Sequence, residues 1–135
     1  MKIALTGASG FLGMHIAKRL GERGDQVVGM LRSSSQRDHV APWLSETITG
    51  DLSDTEACTA LLEGAECFVH NAVDWKTLRN GDLQAHHQIN LVRPIEMITA
   101  AFEQKIPVIF VSSVATHHHM HDHWGGTIDA LHPTR

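Results

Sequence analysis

The stretch MKIALTGASGFLGMHIAKRL, residues 1–20, decides how the rest of the chain reads. A short, mostly apolar run, KIAL (2–5), leads into three glycines, Gly7, Gly10 and Gly13, spaced three apart. Beyond it, Leu12, Ile16 and Leu20 recur at helical spacing. Strand, glycine turn and helix in that order have a physical logic. The first glycine permits a tight turn. The second lets a pyrophosphate approach the backbone with no Cβ in the way, and the third lets the helix pack closely. The helix start then aims unpaired N–H groups and a partial positive charge at the phosphates. Thr6, Ser9 and the amides of Phe11 and Leu12 would line such a site. The alternative is a glycine-rich turn that only joins packed elements; the strand before it and the helix after it favour the phosphate reading.

The pattern continues outward. Short apolar runs at QVVGML (26–31), ETIT (46–49), ECFVH (66–70) and PVIFVS (107–112) alternate with helix-period segments. That alternation predicts βαβ units and a parallel, doubly wound α/β sheet, covered on both faces. The first helix ends at GERGD, a second runs near 54–62 with Asp54 or Ser53 as its cap, and a third ends near Gln104. The third carries Ile95, Ile98 and Phe102 on one face. Pro94 either opens that helix or kinks a longer one beginning near Leu83. Residues 75–84 read as a polar loop. The Rossmann-type unit is expected over 1–115, with a His- and Gly-rich loop or tail over 116–135.

Composition narrows the function. A chain of 135 residues suffices for one core, and its 42% apolar content is ordinary for a globular protein. A net charge of −4 lacks the basic footprint of a nucleic-acid binder. No apolar run approaches the ~18 residues of a membrane span, and the start lacks a signal-peptide core. Cys58 and Cys67 match no metal or redox spacing and read as free thiols of a reducing cytoplasm.

TGASGFLG (6–13) resembles the nucleotide-binding turn of the short-chain dehydrogenase/reductase superfamily. The likeness is to its extended branch, the NAD(P)-dependent epimerase/dehydratase and dihydroflavonol-reductase-like proteins. Further segments agree in order: GDLSD (50–54), LLEGAECFVHNAV (61–73) and INLVRPIEMITAAFEQKIPVIFVSSVAT (89–116). The resemblance implies strand order 3-2-1-4-5 and an amino-terminal portion of a reductase or sugar-nucleotide epimerase/dehydratase acting by hydride transfer at an alcohol or carbonyl carbon. It implies that Asp51 and Leu52 meet the adenine, although Asp51 also reads simply as a turn residue after a strand. Asn71, Ala72 and Val73 would lie beneath the ribose and nicotinamide. Asn90 would help order the site, Ser113 would be the catalytic serine, and Ser112, beside Ser113, would meet the cofactor. The helix around 89–104 would be the surface of a homodimer.

The second strand ends in GMLRSSSQR (29–37). Where an NAD-selective site holds Asp or Glu, this chain holds Arg32, followed by three serines. A guanidinium can grip a 2′-phosphate through two parallel hydrogen bonds, which favours NADP(H) with NAD as the alternative. The bland alternative is a solvated basic loop. The family's Tyr and Lys are not in evidence: the chain contains no tyrosine, and Lys2, Lys18, Lys76 and Lys105 are badly placed. GTIDALHPTR (126–135) resembles the loop just ahead of the Tyr helix, which implies a chain cut short of it. A non-catalytic NAD(P)-binding sensor is the competing expectation. HHHMHDH (117–123) offers imidazoles to a metal, but reads first as a loop with no dedicated metal site.

Overall fold

The computed structural model describes residues 1–113. Among them five parallel strands form one sheet: β1 (Lys2–Leu5), β2 (Gln26–Leu31), β3 (Glu46–Thr49), β4 (Cys67–His70) and β5 (Val108–Phe110). Their spatial order is β3-β2-β1-β4-β5, the doubly wound order expected from the sequence. In the centre, Ile3 is paired with Val27 on one side and with Cys67 on the other. β5 is shorter than its apolar run suggests. The ladder still reaches one residue past each end, because Phe68 N–H donates to the Pro107 carbonyl and Val111 N–H to the His70 carbonyl.

Side-chain alternation along each strand divides the core in two. Ile3 and Leu5, Val27 and Leu31, and Val69 pack on one face with Ala8, Ala17 and Val40. Ala4, Val28, Met30 and Phe68 pack on the other with Leu61, Leu62, Met97 and Ala101. Helix α1 (Phe11–Glu22) therefore covers the first face, while α2 (Thr55–Leu62) and α5 (Arg93–Glu103) cover the second. Helices on opposite faces of adjacent crossovers leave a crevice at the carboxyl ends of β1 and β4. Asp54 caps α2 by accepting the Ala57 N–H at 3.0 Å.

Three local expectations change. In α1 the buried positions are Gly13 and Ala17, with Ile16 and Leu20 flanking them, whereas Leu12 is half exposed at the helix start. In α5 the buried positions are Pro94, Met97 and Ala101, and Ile95 and Phe102 face outward. Small residues, Gly13 and Ala17 in α1 and Ala101 in α5, stand where each helix comes closest to the sheet, and Met97 fills the remaining space beneath α5. The segment read as a loop holds a short helix, α3 (Lys76–Arg79), started by the Asp74 side chain accepting the N–H groups of Lys76 and Thr77. Pro94 does sit in a longer helical run: α4 (Leu83–His87) passes through a π-turn (Gln88–Val92) into α5. The wider turn lies just ahead of the proline, whose ring and missing N–H disrupt regular i→i−4 bonding. No helix among the described residues is long and apolar enough to cross a membrane. The histidine tract at 117–123 and the tail expected over 116–135 lie outside the described residues.

Candidate functional site

A cleft of about 440 Å³ opens at the carboxyl ends of the central strands. That volume is typical of sites for small molecules and cofactors. Its floor is the glycine turn. Gly7 adopts φ +68°, and a Cβ there would lie 2.9 Å from the Asn71 carbonyl oxygen, so the position requires glycine. A Cβ at Gly13 would run into the Gly7 carbonyl, so Gly13 serves the close seating of α1 and stands behind the cleft wall. Gly10 differs from both. Its only neighbour would be the Gly7 carbonyl at 3.3 Å, and it borders the cleft. No side chain caps α1 at Gly10, and no acidic residue occupies its first turn. A helix start with bare amides and no carboxylate is suited to an anion. The residues present thus fit a diphosphate, with Ser9, Phe11 and Leu12 bordering the same space.

The ends of β2 and β3 form one flank. Arg32 and Ser35 border the cleft, and the Ser35 hydroxyl lies 3.4 Å from that of Ser9. His39 Nε2 lies 3.0 Å from the Ser9 carbonyl and braces this loop against the glycine turn. Asp51 and Leu52 line the wall next to Gly50. Asp51 is also a turn residue: its Oδ1 accepts the Ser53 N–H at 2.8 Å. That turn uses Oδ1 alone, and the residue also borders the cleft.

The exit of β4 forms the other flank, where Asn71, Ala72 and Val73 all border the cleft. Thr6, expected to line the site, is instead fully buried beneath it. Its hydroxyl accepts the N–H groups of Asn71 at 3.1 Å and Ala72 at 3.2 Å. The hydroxyl is short, so it can organise the backbone below the cleft without reaching the opening. His70, 2% exposed, sits against it, and burial pushes the imidazole down to about 4.

Asn90 also stands behind the wall. Its Oδ1 accepts the Asp74 N–H at 2.7 Å and its Nδ2 donates to the Asp74 carbonyl at 2.9 Å. The Asn90 side chain thereby holds the loop after β4 by its backbone. Asp74, not singled out from the sequence, borders the cleft with one oxygen facing Arg32 at 3.7 Å. The Thr77 and Lys76 N–H groups, and then the charge on Arg32, hold its carboxyl below the usual carboxylate range against the opposing effect of burial. The mixed stretch NAVDWK (71–76) after β4 carries no signal that would mark this one aspartate. Ser112 and Ser113 follow β5, exposed and outside the cleft lining. The described residues hold no group of three or more metal-ligating side chains.

The sequence model of the NAD dependent epimerase/dehydratase family matches residues 3–131. The chain belongs to that family. This epimerase/dehydratase chain is 34% identical over 100 residues to 2-alkyl-3-oxoalkanoate reductase of Stenotrophomonas maltophilia, covering 74% of itself and 29% of that protein. It is 33% identical over 117 residues to ceramide reductase of Caulobacter vibrioides, covering 84% of itself and 35% of that protein. The chain thus spans about a third of the length of these relatives. Among solved structures, gox2253 superposes with a TM-score of 0.82 at 30% identity, over 100% of this chain and 40% of that one. WbmH of Bordetella bronchiseptica, in complex with NAD+, superposes with a TM-score of 0.75 at 25% identity, over 99% and 45%.

Proposed function

We propose that this chain is the NADP(H)-binding portion of a reductase, or of a sugar-nucleotide epimerase/dehydratase, that acts on an alcohol or carbonyl carbon of a small molecule. One observation carries the reading. The bare start of α1 opens on a cleft whose β2 side presents Arg32 at the first position after the strand, where NAD selectivity calls for a carboxylate. The nicotinamide ring would supply or accept the hydride. The chain's own residues would do the rest. Amides at the α1 start take the diphosphate, Arg32 and Ser35 take the ribose phosphate, and Asp51 and Leu52 flank the adenine. Asn71, Ala72 and Val73 support the nicotinamide half, and Ser113 orients the substrate oxygen from the exit of β5. The names of the two reductases favour reduction over epimerisation.

A reducing cytoplasm suits the two free cysteines, Cys58 and Cys67. The outward face of α5 suits a dimer contact, since Ile95 is 54% and Phe102 80% exposed. The deciding experiment is titration of the chain with NADPH and NADH, followed by tryptophan fluorescence or calorimetry. NADPH binds more tightly, and Arg32→Ala removes the difference. Equal affinity of the wild-type chain for the two overturns the NADP(H) assignment, and tighter binding of NADH makes NAD the cofactor.

A further inference from the structure

We infer that Asp74 sets the preference between NADP(H) and NAD(H) by competing for the Arg32 guanidinium; this rests on the NADP(H) reading of the cleft. Arg32 is the first residue after β2, and Asp74 lies in the loop after β4. These strands flank β1 on opposite sides. Neighbouring strands lie about 4.8 Å apart, so the pair reaches across roughly 10 Å of sheet, over the carboxyl end of β1. Both residues border the cleft, and their charged groups approach to 3.7 Å.

The two partners are not held alike. Asp74 is fixed on three sides. Its backbone N–H and carbonyl both bond to the Asn90 side chain, at 2.7 and 2.9 Å. Its Oδ1 accepts the N–H groups of Lys76 at 2.7 Å and Thr77 at 3.0 Å. Only Oδ2 is turned to Arg32. The Arg32 side chain is 57% exposed against 21% for Asp74, so the arginine is the partner that can leave. A guanidinium carries one charge. With two parallel bonds to a 2′-phosphate, that one charge is shared with a nearby carboxylate whose own charge repels the phosphate. NADP(H) therefore meets a penalty that NAD(H), with only hydroxyls on that ribose, does not. An ion pair this exposed is worth little, which sets the expected effect at about two- to fivefold.

Asp74→Asn tests this without disturbing the loop, because the amide oxygen can still accept from Lys76 and Thr77. Asp74→Ser is a second variant, whose hydroxyl can still accept the Thr77 N–H. Dissociation constants for NADPH and NADH are measured by calorimetry on the 135-residue chain, its Asp74→Asn and Arg32→Ala variants, and the double variant. Asp74→Asn tightens NADPH about two- to fivefold and raises its preference over NADH by the same factor. On the Arg32→Ala background the substitution leaves that preference unchanged. If Arg32→Ala abolishes the preference but Asp74→Asn leaves it as in the wild type, the competition is refuted and the NADP(H) reading stands. Equal tightening of both cofactors refutes it too, showing the pair to be a general obstacle. If Arg32→Ala itself leaves a preference for NADPH intact, Arg32 does not carry it and the competition is refuted while NADP(H) remains the cofactor; equal wild-type affinities for the two would instead overturn the NADP(H) reading.

Discussion

The Thr6 hydroxyl and His70 Nδ1 lie 3.1 Å apart in the buried floor of the cleft, joining the exits of β1 and β4. Because Thr6 already accepts two N–H groups, from Asn71 and Ala72, its own proton is directed at Nδ1. That assigns His70 the neutral tautomer with its proton on Nε2. The ring also stacks on Phe110 at 5.3 Å between centroids, extending the link to β5. One hydroxyl and one imidazole therefore align three strand ends under the proposed cofactor.

Acid should weaken the fold through this histidine. Its value falls from an ordinary 6.5 to about 4, chiefly through burial, with a bond to the Ala72 backbone opposing. As pH drops below 6.5 the unfolded chain takes up a proton that the folded chain refuses until about 4. Stability from the neutral ring is complete above 6.5, is lost between the two values, and levels off below the lower one. The loss is of order 3 kcal/mol. Urea unfolding at pH 7 and pH 4.5, compared between the wild type and His70→Gln, measures it. The variant is less stable at pH 7 and less sensitive to acid; an identical pH dependence would refute the assignment.

The two glycines at the start of α1 should separate binding from folding. Gly10→Val meets only the Gly7 carbonyl, at a backbone φ of −75° that any residue adopts. It should keep the melting temperature within a few degrees while weakening NADPH at least tenfold, as a Cβ intrudes where the diphosphate lies. Gly13→Val drives its Cβ into the Gly7 carbonyl and should cost about 3 kcal/mol or more. Thermal melts and calorimetry on both variants check the contrast. Undiminished binding by Gly10→Val would remove the basis of the phosphate reading.

Helix α2 offers a control away from the cofactor. Asp54→Ala removes the acceptor of the Ala57 N–H and should lower stability by about 1 kcal/mol. Denaturant midpoints reveal that loss, while the affinity for NADPH stays as in the wild type.

The 135-residue chain alone should bind cofactor yet show no measurable turnover. A placed general acid or base typically contributes about a hundred- to ten-thousand-fold in rate, and no tyrosine is present to serve. Following NADPH absorbance with a panel of ketones and sugar nucleotides tests this. Brisk oxidation of NADPH would show that another group donates the proton.

The bounds of β1, β2 and β3, the parallel order and the glycine turn were legible because they depend on local apolar runs, turn chemistry and connection rules. The buried faces of α1 and α5 were less so. Both helices carry apolar residues on more than one side, and only the sheet decides that Ala17 and Ala101 go in while Leu12 and Phe102 stay out. Asn90 was visible as a motif residue, yet its action through the Asp74 backbone was not, because the contact spans 16 positions.

Thus the order of residues along this chain was enough to establish a doubly wound sheet with a glycine turn at its first crossover. Those properties arise from interactions among near neighbours. The tertiary structure alone determined that Thr6 is buried beneath the cleft, that Arg32 faces Asp74 across β1, and which helix faces remain open. Each of these joins groups distant in sequence, and their meeting is set by strand order and packing rather than by local preference.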